Sequence, residues 1–231
     1  MTTGELAISI TRDAEVWRQC IGRHDWKAAS EVLVLSLEMC RRIWASSPDP
    51  VECNAALLYG ILVRGLQNSG DLAEIMGEKD VSKDTDKIER AWTLLCDAQD
   101  RLGYASRFMA LDPLTWIIKY INSVDHQFLS NFGPGMFMSP EILVHKERCS
   151  VCAKDLRCCE HIVGVLYGGV WCTGIVEGGI ELKTVAVVTN PKDRRCRIWP
   201  WRFTADNRCE VAIATTFRVD DFLDDWKKTI E

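Results

Sequence analysis

The sequence lacks any apolar run approaching the roughly 18 residues of a membrane span. Its longest stretch, residues 55–63, is stopped by Arg64. The N-terminal segment, interrupted by Asp13 and Glu15, has no apolar core suited to an export signal. A basic excess is also missing: 28 Lys/Arg stand against 33 Asp/Glu, a formal charge of −5, which argues against a generally basic nucleic-acid binder. There is no glycine-rich phosphate loop followed by Lys-Ser/Thr, no HExxH and no GxSxG. The four histidines offer no nucleophile–base pair: His24 falls in a turn beside Asp25, and neighbours Asp125 and His126 point to different faces of a helix. These absences lead us to expect a cytoplasmic chain with no membrane partner and no catalytic residues.

What the 231 residues do contain is a globular balance, 47% hydrophobic and 26% charged, with nine tryptophans and eleven cysteines. An odd cysteine count without an export signal suits reduced thiols or metal ligands better than a disulfide framework. The charge is uneven. Residues 1–135 carry 14 basic against 19 acidic residues, and residues 136–231 carry 14 of each.

Residues 1–135 read as a helical domain. Val32, Leu33, Ser36, Cys40, Ile43 and Trp44 recur at helical spacing until Ser46-Ser47-Pro48. Asp49-Pro50 restarts a helix as N-cap and first helical residue, and residues 55–66 are apolar nearly all round. Residues 70–83 read as a polar, mobile connection. Ile88, Ala91, Trp92, Leu95 and Leu102 mark another helix, with Gly103 as its C-cap. Asp112-Pro113 repeats the start signal before the stripe Leu114, Ile117, Ile121, Val124 and Phe128. A faint tetratricopeptide-like hairpin at residues 22–39 has no second copy, so a generic bundle is expected.

Residues 136–231 read as a smaller β-rich domain. Gly133-Pro134-Gly135 breaks the preceding helix, and Ser139-Pro140-Glu141 reads as the start of a short one. Gly168-Gly169 reads as a hairpin turn between strands 162–167 and 170–176, and Gly178-Gly179 as a second turn before a strand at 180–189. A turn at residues 190–193, strands at 196–199 and 210–217, and a closing helix at 219–230 complete the expectation. The fold class is therefore α+β: an N-terminal helical bundle, then a small antiparallel β domain with a C-terminal helix.

The strongest chemical signal lies at the start of that second domain. Cys149-x2-Cys152 places two thiolates on a tight turn, and Cys159-x-His161 puts two more donors on one side of an extended segment. Four such ligands suit one structural Zn2+ in a closed tetrahedral site. Cys158 could stand in for Cys159, and Cys172, on the second strand of the following hairpin, could stand in for His161. Ordinary buried cysteines without metal are the bland alternative. The spacing C-x2-C-x6-C-x-H resembles short Cys/His zinc knuckles, and its ending is similar to that of SWIM-type zinc fingers, although SWIM motifs open with C-x-C. The resemblance covers residues 149–161 alone and implies metal binding, with a protein or nucleic-acid contact.

A second segment joins Lys192, Arg194, Arg195, Arg197 and Arg202 to Trp199 and Trp201. Such residues can meet phosphates and stack on bases. They can equally form a solvated strand edge with the tryptophans packed inward, which is the preferred reading. Taken together, the sequence points to a non-enzymatic, zinc-stabilised protein-interaction or scaffold protein. A nucleic-acid-associated protein using residues 192–202 is second, and a metal-dependent hydrolase third.

Overall fold

The computed structural model describes residues 3–79, 81–109 and 115–199. Five helices come first: α1 (Thr3–Gly22), α2 (Trp26–Ser46), α3 (Pro50–Met76), α4 (Thr85–Ala105) and α5 (Thr115–Phe132). A β region follows, with β1 (Phe137–Cys149), β2 (Leu166–Tyr167), β3 (Val170–Trp171) and β4 (Gly174–Val188). The architecture is thus α+β, helices first and a small antiparallel β region after them. No helix among the described residues is long and apolar enough to cross a membrane.

Helix starts follow local capping chemistry. The carboxylates of Asp25, Asp49 and Asp84 accept backbone N–H groups of Ala28, Val51 and Lys87, and Pro50 occupies the first turn of α3. α1 was not anticipated, although Leu6, Ile10, Ala14 and Trp17 form its buried stripe. Residues 70–83, expected as a connection, require correction. α3 continues through Met76, because Ser69, Leu72 and Ile75 keep the buried face going while Asp71 and Glu74 point outward. Gly70 permits the contact with α1, since a Cβ there would lie 3.2 Å from Trp17 Nε1. Gly103 is likewise not a C-cap. α4 runs on through the buried Tyr104 and Ala105, and the N–H of Ser106 closes it onto Leu102.

The β region departs further from expectation. Ser139-Pro140-Glu141 starts no helix and lies within β1. The capping signature is not followed by a helical apolar stripe, and the contiguous Ile142-Leu143-Val144 pairs with Leu182, Glu181 and Ile180 instead. Gly178-Gly179 makes no chain reversal either. Both glycines have positive φ, 86° and 98°, inside β4, where the β1–β4 register shifts between Val144 and Lys146. Gly168-Gly169, at φ 58° and 79°, does form the anticipated hairpin turn, between strands of two residues each. The strand expected at 196–199 is a 3-10 turn over Arg194–Cys196 followed by one bridge, Arg197 to Phe137. The start signal at Asp112-Pro113, the strand at 210–217 and the helix at 219–230 lie outside the described residues.

The core runs through the helices and into the β region. Phe137 and Trp199 belong to the same buried cluster as Trp92 and Phe128. Trp92 and Trp199 meet edge to face at 6.2 Å.

A Cys/His cluster at the end of the ribbon

β1 and β4 form a two-stranded ribbon whose last pair, Cys149 and Gly174, opens into the loop carrying the cysteine motif. Beyond Cys149 the chain turns back at Ala153, which adopts a left-handed φ of 59°. The turn is closed by Ala153 N–H to Cys149 O (2.9 Å) and Cys149 N–H to Lys154 O (2.8 Å). It aims the N–H of Val151 at Cys149 Sγ, 3.4 Å away. The C-x2-C spacing thus forms the tight turn expected of it, with a backbone N–H aimed at a sulfur. Burial alone would raise the Cys149 thiol. The N–H groups of Cys152 and Val151 and the neighbouring thiols outweigh it, lowering this thiol to about 6.

The second pair arrives on a 3-10 turn, Leu156–Cys158, opened by Asp155, whose carboxylate accepts the N–H of Arg157 at 3.0 Å. Cys158 is exposed at its end, and Cys159 turns inward on extended backbone, φ −100° and ψ 153°. The end of the 3-10 turn decides between the two cysteines, since Cys158 stays on the exposed turn while Cys159, the first extended residue after it, joins the converging donors. His161 then lies on the same side as Cys159. Its ring meets Tyr167 edge to face at 4.6 Å, and the Tyr167 hydroxyl accepts the N–H of Ile162.

Cys149, Cys152, Cys159 and His161 therefore converge, with one donor atom from each lying within 4.8 Å of all the others. Four ligands about 2.3 Å from a tetrahedral zinc stand about 3.8 Å apart, so the observed spread needs only slight contraction. A second observation concerns fit. His161 Nδ1 is buried and has no hydrogen-bond partner, a condition that costs about 1–3 kcal/mol and that a metal bond would relieve. The residues present can hold a metal ion. Cys172 is buried beside them with its Sγ 3.8 Å from that of Cys149, although it stands outside the set of four. Burial, and then the Cys149 sulfur, push its thiol up to about 11.

The hairpin carrying Cys172 is docked onto the helices by contacts that the sequence did not reveal. Trp44 Nε1 donates to Gly169 O (2.6 Å), Gly169 N–H donates to Asn54 Oδ1 (2.7 Å), and the Tyr104 hydroxyl donates to Gly164 O (2.7 Å). Tyr104 also stacks on Trp171 at 4.3 Å. No periodicity marks such polar anchors on otherwise apolar helices. The hint available was an isolated Asn within an apolar stretch.

The basic segment turns inward. Arg194 pairs with Asp125 at 2.6 Å and lies over the Trp92 ring, and Arg195 joins Asp97 at 2.7 Å, Asp100 at 2.5 Å and Asp193 at 3.0 Å. Arg197 is buried between Trp92 and Trp199 and donates to the carbonyls of Phe132 and Gly133. Gly135 makes room for it, since a Cβ there would fall 2.9 Å from the guanidinium carbon. Trp199 is buried, and Lys192 is exposed. Trp201 and Arg202 lie outside the described residues. Asp97 and Asp100, one helical turn apart on α4, were the overlooked counterparts.

Comparison with family models, with characterised proteins and with solved structures finds no match. What the fold and the site define is a helical protein with an appended β ribbon and a Cys3His cluster able to hold a metal ion.

Proposed function

We propose that this protein is a non-enzymatic, cytoplasmic interaction or scaffold protein stabilised by one structural Zn2+ on Cys149, Cys152, Cys159 and His161. The convergence of four donors, one of them from a histidine whose Nδ1 is buried and unpartnered, carries this reading. Three thiols and one imidazole favour zinc among the common divalent ions, and four protein ligands make a closed, structural site rather than a catalytic one. In this reading residues 1–135 form one unit, with residues 136–231 stapled to it as a second, and the partner is a protein. Val34 and Leu35, exposed on α2, supply apolar surface for such a contact.

The nucleic-acid reading has less support. Arg194, Arg195 and Arg197 make their contacts within the fold, and Trp199 is buried, which leaves Lys192 as the exposed basic residue among these described residues of the segment. Metal analysis of purified protein tests the main claim. One zinc per chain is expected. Cys149→Ser with Cys152→Ser should abolish it and lower stability by several kcal/mol, roughly the scale on which metal binding drives folding of small sites. Full stability without metal, or unchanged zinc in the double variant, would overturn it.

A further inference from the structure

The middle of the β1–β4 ribbon has an outward face with no partner among the described residues. On β1, the alternate residues Met138, Pro140, Ile142 and Val144 lie on one side. Their partners across the ladder are Val187, Val185, Leu182 and Ile180. All eight are apolar, and Ile180, Leu182 and Val187 are each about three-fifths exposed (59%, 60% and 60%). The opposite face starts with Phe137 and Val188, which pack against the helical core, and continues with Ser139, Glu141, Thr184 and Ala186. The ribbon therefore turns its apolar side away from its own helices.

A register shift makes that face continuous. Strict alternation back from Val187 and Val185 would bring Lys183 and Glu181 onto the same side. Between Glu141 and Ile142 the β4 strand carries one extra residue, Lys183, so Leu182 and Ile180 fall opposite Ile142 and Val144 instead. Lys183 pairs with Glu181 at 2.7 Å. The next charges along the ribbon are also satisfied within it, with Glu177 taking both Lys146 and Arg148. The face asks for no charged counterpart.

We infer that this face is a self-association surface, on which a second copy of the chain packs its own β1–β4 ribbon face to face about a two-fold axis. Two-stranded ribbons are marginal in water, and a second layer about 10 Å away is the usual remedy. An uncharged, wholly apolar strip is complementary to itself, which is what an isologous dimer requires. The exposed part amounts to about 500 Å² per copy, so two copies would bury about 1,000 Å², near the lower bound for a specific interface. A reversible dimer follows. The proposal deepens the scaffold reading by naming its partner, and the zinc content of each sample shows separately whether the metal claim holds.

Sedimentation of the full chain over a wide concentration range tests it. The wild type should move reversibly from monomer to dimer. Leu182→Lys and Ile180→Lys should each weaken dimerisation at least tenfold, with far-UV dichroism and zinc content unchanged. Leu143→Lys, on the opposite face and also exposed, should dimerise like the wild type. A wild type monomeric at every concentration would overturn the proposal and leave residues 200–231 or a different protein to cover this face. Equal effects of Leu143→Lys and Leu182→Lys would also overturn it.

Discussion

Gly169→Ala should separate the hairpin from the helices, and the structure allows its size to be worked out. Gly169 has a φ of 79°, a region that costs an L-residue about 1–2 kcal/mol. A Cβ there would stand 2.6 Å from Trp44 Nε1 and 2.9 Å from the Cβ of Cys53, so the turn has to move. Moving it breaks the Trp44 bond to Gly169 O and strains the Asn54 bond to its N–H, each worth about 1 kcal/mol. Together these give about 3–4 kcal/mol. Gly168→Ala is the internal control, because its φ is 58° but the nearest atom to its Cβ, on Pro50, is 3.8 Å away. It should cost only the conformational part, about 1–2 kcal/mol. Urea unfolding of both variants, followed by far-UV dichroism, measures the difference. A difference near zero would refute the claim that this turn fastens the β region to α2 and α3.

Three other outcomes follow from single contacts. Cys172→Ser should retain one metal ion per chain, because the four converging donors do not include it; loss of the ion would place Cys172 among the ligands. Arg195→Ala should destabilise by about 1–2 kcal/mol in chemical denaturation, since it removes the cation shared by half-covered Asp97, which keeps Arg101, and exposed Asp100. Tyr104→Phe should change the alkaline limb of the stability–pH profile. Burial pushes the Tyr104 phenol up to about 12, against about 10 when unfolded. Its contribution is therefore complete below pH 10 and lost as pH rises toward 12, and a variant with the wild-type alkaline limb would contradict this.

The helices were legible where a cap and a stripe coincide. Asp49-Pro50 set the start of α3, but its end was missed because Gly70, Asp71 and Glu74 look like linker composition. Only the packing of Leu72 and Ile75 shows that the helix continues. Gly178-Gly179 failed for a similar reason. Two adjacent glycines permit positive φ at either a turn or a bulge, and the choice belongs to the opposite strand. The cysteine cluster was readable because its spacing is short and its chemistry local. The role of Arg194, Arg195 and Arg197 was not, since apart from Asp193 the acidic and carbonyl partners named for them lie 60 or more residues away in the chain.

The distribution of burial shows what a metal ion would add at one end of the ribbon. At the Phe137 end, stability comes from a packed core, with Arg197 held between Trp92 and Trp199 and Phe137 itself buried. The Cys149 end is held more lightly, by half-buried Leu166 and Trp171 against the helical core and by the Trp44, Asn54 and Tyr104 hydrogen bonds. From residue 149 to 173 only Cys149, Gly169 and Cys172 are buried, while Ile162 and Val163 face solvent. Three small buried residues, the packing of Leu166 and Trp171, and hydrogen bonds of about 1 kcal/mol each offset only part of an ordering entropy of about 1–2 kcal/mol per residue. Metal bonds to the four converging donors would supply the missing free energy without apolar bulk. On this argument, removing the ion should leave the five helices and the Phe137 end intact and raise amide exchange first at residues 149–173. Uniform loss of protection along the whole chain would instead mean that the helices themselves depend on the metal.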